Sequence, residues 1–363
     1  MPSGRTPEQF TKRSLVAVSH AIERAALAEA EDGPLVVLAL FQRLPYFARE
    51  REVYRRIAGR AAVTVVAMVG GPPPDLPEGA YGVTLDEAEA LAREWTVVTL
   101  SPRFGATLVA HDRAEVAPAP TLESGRLFEG RWGFRRDEAL HEAIRLREQL
   151  AERLPAAART ALDDAIARVR DIPAGPGEPR AEAALRMLAR RGDRNDQPVE
   201  PAETMLDEPG LARWSGADGV TASGTLPVAL VGLRVDAPPG SPERFGRRDV
   251  AREGHAVLTA ITAVLRPVDR AVRVTENEFQ LLLPGLDEPA ALEVVRRLHD
   301  AIGALARSYP FMAYTVHAAV GVTTRRPLPT ADLRAAVDWA VRKGLPVAGL
   351  PPETADAVTA AAR

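Results

Sequence analysis

Two short stretches carry the residue types best suited to chemistry. One is Arg266-Pro267-Val268-Asp269; the other, a few residues on, is Thr275-Glu276-Asn277-Glu278-Phe279. A guanidinium such as that of Arg266 is a planar fork of donors that fits phosphate oxygens or the edge of a guanine in bidentate fashion. A carboxylate three residues away, Asp269, can accept from guanine N–H groups. Arg297, with Arg296 beside it, offers a further cation or a plane on which a base can stack. The polar stretch 275–278 lies between two apolar runs, 271–274 and 279–283, and polar residues between two β-like runs predict a hairpin.

Periodicity supplies the elements that must hold these residues. A buried strand is expected at 227–235, a helix at 248–265, the two hairpin strands, a helix at 288–307, a strand at 313–323 and a helix at 330–343. This β-α-β-β-α-β order is that of a ferredoxin-like palm, over a domain at 225–350. Ahead of it, residues 12–32 form an amphipathic helix with Leu15, Val18, Ile22, Ala25 and Ala26 on one face. Strands follow at 35–41, 62–69, 95–100, 107–111 and 127–134. Helices are expected at 47–60, with Val53, Tyr54 and Ile57 inward, and at 85–93. Strands alternating with helices make a first α/β domain over 10–150.

Residues 137–172 read as two helices parted by Pro155. In the second, Ala158, Leu162, Ala165, Ile166, Val169 and Ile172 recur at three- and four-residue spacing. Two heptads suit packing on its own domain better than a signalling helix that dimerises or passes strain between domains. A short helix at 181–191 precedes a polar stretch, 192–225, expected to be loosely ordered. The fold class is thus α/β plus α+β: an N-terminal α/β domain, a helical and flexible linker at 151–224, and a C-terminal palm.

Composition excludes several classes. The chain has 363 residues, 46% hydrophobic and 26% charged, with a net charge of −3. No basic field argues for nucleic acid or an anionic membrane. Lys12 and Lys343 are the only lysines, so nearly every basic side chain is Arg. There is no Cys, hence no disulfide, thiolate-metal site or thiol nucleophile. No apolar run reaches the roughly 20 residues that span a bilayer, and a cytoplasmic location is expected. The six histidines show no metal spacing; His20, His141 and His299 fall on helices as surface or capping groups. Phe41, Tyr54, Trp95, Phe104 and Trp132 are candidates for a cavity in the first domain, though aromatics at such positions are more often core. Arg51, Arg55, Arg56 and Arg60 make a basic, solvated helix face.

Two resemblances bear on function. The first 150 residues resemble the DICT sensory domain. The likeness runs through Ser19-His20-Ala21-Ile22-Glu23, the run at 36–41 with Tyr54 and Arg55, the strand from Trp95 to Ser101-Pro102-Arg103-Phe104, and Phe128 with the segment 132–137. The palm resembles the GGDEF domain of diguanylate cyclases. That family joins two GTP molecules with the help of divalent metal ions, which carboxylates hold. Carried over residue by residue, the metal-binding Asp of the first strand falls on Arg234 and the second Asp of that strand on Asp236; an alternative frame puts Gly232 at the metal position. The hairpin glycines fall on Thr275 and Glu276, and the acidic third residue on Asn277, with Glu278 following. The base-reading Gly-Asp pair falls on Gly254-His255 after an insertion in 237–254. The late lysine motif is shortened around Lys343.

The resemblance therefore implies a degenerate GGDEF domain with no catalytic residues, no metal and no cofactor. The family's product-inhibition site is an Arg-x-x-Asp whose Arg lies nine residues before the hairpin motif. It matches Arg266 and Asp269, with Arg297 and Arg296 from the next helix. The expected function is non-catalytic signalling with cyclic di-GMP as ligand, a regulatory protein or a homodimer as partner, and no nucleic acid or membrane. The alternatives are a nucleotide-independent interaction scaffold and a residual cyclase or GTP-binding regulator.

Overall fold

The computed structural model describes residues 7–29, 33–70, 75–173, 175, 177–195, 204–216, 226–238, 247–308, 313–325 and 327–350. The chain forms two compact units. The first comprises residues 1–113 and 126–198, the second residues 114–125 and 199–363.

The first unit is built on a seven-stranded sheet. Its strands are β1 (Glu8–Thr11), β2 (Val36–Arg43), β3 (Val63–Val69), β4 (Ala80–Leu85), β5 (Glu94–Leu100), β6 (Gly105–Val116) and β7 (Arg126–Gly133), in the order β1-β7-β6-β5-β2-β3-β4. Strands β2, β3 and β4 run parallel, and β2 is antiparallel to β5. Buried strands of this kind read as unbroken apolar runs, which is why β2 and β3 stand out in the sequence. Helices α1 (Lys12–Glu29) and α2 (Leu44–Ala58) bury Ala26, Phe47, Tyr54 and Ile57 with Val37, Ala39, Phe41, Val66 and Met68. A second cluster joins Val36, Leu38, Leu40, Val63 and Val65 to α3 (Arg136–Leu150) and α4 (Ala156–Arg170), through Leu146, Leu150, Leu162, Ile166 and Val169. The apolar stripe on α4 thus packs into this core, within the stretch expected as linker. Helix α5 (Glu178–Asn195) follows.

The second unit holds a six-stranded sheet, β13-β12-β9-β11-β10-β8. Its strands are β8 (Met205–Leu206), β9 (Val228–Asp236), β10 (Arg270–Arg273), β11 (Glu278–Pro284), β12 (Thr315–Thr323) and β13 (Val347–Gly349). The helices are α6 (Glu208–Ser215), α7 (Arg247–Val264), α8 (Glu288–Ser308) and α9 (Thr330–Lys343). Within the run β9-α7-β10-β11-α8-β12, strand β9 lies between β12 and β11, with both pairings antiparallel, and β11 pairs antiparallel with β10. That is the ferredoxin-like order expected from periodicity. Helices α7 and α8 cover one face through Ile261, Val295, Leu298 and Ile302. Helix α9, Trp214 of α6 and Leu122 cover the other with Leu333 and Val337.

Two local readings of the sequence give way to side-chain chemistry. The helix expected at 85–93 is instead the end of β4, a turn and a short 3-10 helix, Ala90–Arg93. The Asp86 carboxylate accepts from the Ala88 N–H at 2.8 Å, and Glu89 accepts from the Asp86 N–H at 2.6 Å. Such local bonds compete with helix formation. The stretch expected to be loose, 192–225, contains β8 and α6. Asp207 caps α6 by accepting from the Gly210 N–H at 2.7 Å, Gly216 ends it at φ 72°, and Trp214 is buried. Edge strands β1 and β13 are too short to leave a periodic signal. The expected insertion lies largely in 239–246, outside the described residues.

Gly232 sits under α9. A Cβ there would lie 2.5 Å from Val337 Cγ2 and 3.1 Å from Leu333 Cγ. Gly232→Ala should destabilise the second unit by about 1–3 kcal/mol through overpacking, read as a lower urea midpoint. An unchanged midpoint would show that α9 moves aside freely.

Candidate functional site

At the end of the central palm strand, β9, stands a cation. Arg234 Nε donates to both oxygens of Asp236, at 3.2 and 3.1 Å, and its Nη1 reaches Glu278 Oε1 at 3.4 Å. Asp338 of α9 lies 3.9 Å from the same nitrogen. The cross-strand register sets this up, because Arg234 is directly opposite Glu278 on β11. Asn277 is used at both ends. Its amide nitrogen donates to Asp236 Oδ1 at 2.6 Å, and its amide oxygen accepts from the Thr275 hydroxyl at 3.0 Å. The hairpin is closed further by Arg273, which donates to the carbonyls of Thr275 and Glu276 at 3.1 and 2.8 Å. The structure therefore brings Arg234, Asp236, Asn277 and Glu278 together, with their charges turned on one another. Gly232 lies beneath α9, and Lys343 is exposed in that helix's last turn. His255 is exposed on α7.

The Arg266–Asp269 turn follows the end of α7. Asp269 is 1% exposed. Its carboxylate accepts from the Arg266 backbone N–H at 2.7 Å and takes the guanidinium through Nε and Nη2, the latter at 2.8 Å. Arg266 Nη2 also donates to the Pro284 carbonyl at 2.8 Å. Arg297 of α8 donates to the Val264 carbonyl at 3.4 Å, so it approaches the same helix end. Arg296 instead pairs along its own helix with Glu293 and Asp300, at 2.6 and 2.8 Å, as a solvated side chain does. Arg266, Asp269 and Arg297 are thus gathered at one end of α7, with the Asp269 oxygens engaged by Arg266.

The first unit holds a cavity of about 240 Å³. Helix α1 contributes Lys12, Val16, Ser19 and His20, and α2 contributes Tyr46, Arg49 and Glu50. The sheet supplies Phe41, Gln42, Trp95, Arg126 and Phe128. The residues from α1 recur at four, three and one, a helical stripe beside the core face at Leu15, Ile22 and Ala26. Arg126 is fully buried and ion-paired with Asp112; it donates to the Tyr46 hydroxyl at 3.0 Å and to Gln42 Oε1 at 3.4 Å. The Lys12 ammonium lies 4.3 Å from the centroid of the Tyr46 ring. Next to the cavity, His20 Nε2 meets Glu50 at 3.1 Å, and buried Glu23 accepts from Ser19 and Tyr54, each at 3.2 Å.

Residues 2–113 match the DICT family. Its description is a sensory domain in diguanylate cyclases and two-component systems. No curated protein matches the chain. Among solved structures, the GGDEF domain of DgcB from Caulobacter crescentus in complex with c-di-GMP is 17% identical, with 42% of this chain and 98% of that one covered and a TM-score of 0.34. The active GGEEF domain of a diguanylate cyclase from Vibrio cholerae is 13% identical, over 42% and 100%, at 0.36. The diguanylate cyclase SiaD in complex with its activator SiaC, from Pseudomonas aeruginosa, is 23% identical over 59% and 77%, at 0.34. Scores this low add nothing to what the strand order already says.

In the DICT-matching unit, sequence reasoning found part of the cavity. Phe41 and Trp95 line it. Tyr54 packs edge-on against Phe41 and Phe47 in the core, while Trp132 and Phe104 each meet Phe134. His20, expected at the surface or as a cap, is half-buried and pairs with Glu50 across two helices. Lys12, Arg49, Arg126 and Gln42 were missed. The stripe of Lys12, Val16, Ser19 and His20 was the one signal available. No described helix is long and apolar enough to cross a membrane.

Burial of Glu23, reinforced by the Glu50 charge and opposed by His20 and by the Ser19 and Tyr54 hydroxyls, pushes its carboxyl up to about 7. A folded value above the unfolded one of 4.5 makes a contribution present below pH 4.5 and lost as pH rises through about 7. Wild type should therefore lose stability relative to Glu23→Gln between those pH values, by up to about 3 kcal/mol. Melting both proteins at pH 4.5 and pH 8 tests this; a difference that does not change with pH would refute it.

Proposed function

We propose that this is a non-catalytic signalling protein, with a DICT-like sensory unit joined to a palm that does not condense GTP. One observation supports the reading: the central palm strand ends in Arg234, and Asp236, Glu278 and Asp338 are turned on it. Hard divalent cations require oxygen ligands with net negative charge. Here the strand end offers a guanidinium, and the hairpin offers an amide whose oxygen already accepts from Thr275. These residues do not fit a magnesium pair, and no catalytic step is derived through one. Glu276 at the hairpin tip would further set a carboxylate against a triphosphate.

A second element of the proposal is that cyclic di-GMP binds at Arg266, with Arg297 as the second cation. Support comes from their convergence on the end of α7 and from the Arg266 side chain being 41% exposed despite its ion pair. Because Asp269 is committed to Arg266, ligand binding must exchange those bonds for bonds to guanine. Partner proteins follow as readers of that exchange.

Incubation of the full chain with GTP and Mg²⁺ or Mn²⁺ should yield no cyclic di-GMP by chromatography; product would overturn the non-catalytic reading. Calorimetry with cyclic di-GMP should give saturable heat that Arg297→Ala abolishes without altering the melting temperature. Arg266→Ala should also abolish it, but at a cost of roughly 1–2 kcal/mol in stability, because Asp269 stays buried with fewer donors. Absence of heat from wild type would leave the interaction scaffold in place of the receptor.

A further inference from the structure

The cavity of the first unit combines flat apolar walls with a cationic lining. Phe41, Tyr46, Trp95 and Phe128 supply the rings, and Val16 one aliphatic surface. The walls are braced: Phe41 packs edge-on against Phe47 and Tyr54, at 5.4 and 5.3 Å between centroids, and Trp95 against Phe128 at 5.8 Å. Preformed, mostly apolar concavities with a few placed polar groups are the usual form of a small-molecule site. At about 240 Å³ this one suits a molecule of one or two rings. Three of the lining side chains are basic, Lys12, Arg49 and Arg126, and one is a carboxylate, Glu50, which His20 engages at 3.1 Å.

We propose that this cavity binds a small, flat aromatic acid, with its rings among Phe41, Trp95 and Phe128 and its carboxylate towards Lys12 and Arg49. The assignment deepens the sensory reading of the first unit and does not depend on the palm. Arg126 serves as a positioning residue: its ion pair with Asp112 and its bonds to Tyr46 and Gln42 hold the wall in place. Arg49 is exposed on α2 and lines the same cavity, so its guanidinium stands where an entering anion would meet it.

A divalent cation is the competing occupant. His20, Glu23 and Glu50 place one ligand atom each within 4.8 Å of one another. Against it, Glu23 Oε1 already accepts from Ser19 and Tyr54, and the cations of the adjoining cavity oppose further positive charge. An organic anion instead faces one lining carboxylate, Glu50, which His20 engages, against the two guanidinium groups and the amine.

The site also carries a proton signature. Burial, helped by the Arg126 and Arg49 charges and opposed by Asp112, lowers the Lys12 ammonium to about 6. Glu50 and His20 are the other titratable groups lining the cavity. An arriving carboxylate favours the charged amine, so binding near pH 7 takes up a proton.

The test is calorimetry on the full chain with benzoate, phenylacetate and indole-3-acetate, against phenylacetamide and phenethylamine. At least one acid should bind saturably and at least roughly tenfold more tightly than the neutral amide and the amine. Lys12→Met, which replaces a buried amine by an apolar chain, should fold at least as well by melting temperature. It should weaken the acid by roughly tenfold and abolish the proton uptake seen on changing the buffer. Arg49→Gln, a rim substitution, should weaken the acid several-fold. Equal binding of acid and amide, binding unchanged in both variants, failure of all three acids, or saturable binding of Zn²⁺ or Mn²⁺ alone would each overturn the assignment. Because cyclic di-GMP and GTP are assayed separately on the palm, failure here leaves the palm reading intact.

Discussion

The charge on Arg234 organises the end of the central palm strand. It stands at the end of β9, between β11 and β12, where three acids from two strands and a helix are within reach. Partly exposed charges a few ångströms apart attract by only a few kcal/mol at most, but here three acids share one guanidinium. Asp236 is held by Arg234 on one side and by Asn277 on the other. The hairpin tip is thereby tied to the central strand.

Two buried arginines do comparable work away from that strand end. Arg126 meets a buried carboxylate, Asp112. Arg270 is 1% exposed and relies on carbonyls: it donates to Pro267 and Asp269 at 2.9 and 2.7 Å and to Ala119 at 3.5 Å, over the ring of Trp214. Burial lowers its pKa, only partly offset by Asp269. Desolvating such groups is costly, and removing a single partner is costlier still. Their effect is to fix position: Arg126 sets the cavity wall, and Arg270 holds the segment 114–125 and α6 beside β10.

The palm was legible because each of its elements shows its period. Residues such as Leu281, Leu283, Val295 and Leu298 sit at the spacing their elements require, and α9 begins at Thr330 and ends at Lys343 as read. The missed pieces share a cause. Helix α6 depends on one cap, Asp207, and one buried ring, Trp214, too little to emerge from a polar stretch; the turn at Asp86–Glu89 is decided by side-chain acceptors that helical period ignores. For the site, Arg266 and Asp269 could be paired by spacing, but the burial of Asp269 comes from packing after the chain has folded. The cavity was least legible. Lys12 and Arg126 lie more than a hundred residues apart in sequence, and only the sheet order brings them to one wall.

The hairpin between β6 and β7 leaves the first unit at Ala114, whose φ of 56° is the sole left-handed non-glycine backbone among the described residues, and returns at Arg126. In between it lends Leu122 to the apolar core of the palm unit and the Ala119 carbonyl to Arg270. The polypeptide therefore crosses between its halves three times, not once. No single cut separates the halves whole: a fragment starting after residue 198 lacks a piece of its own interior, and one ending there carries an orphaned loop.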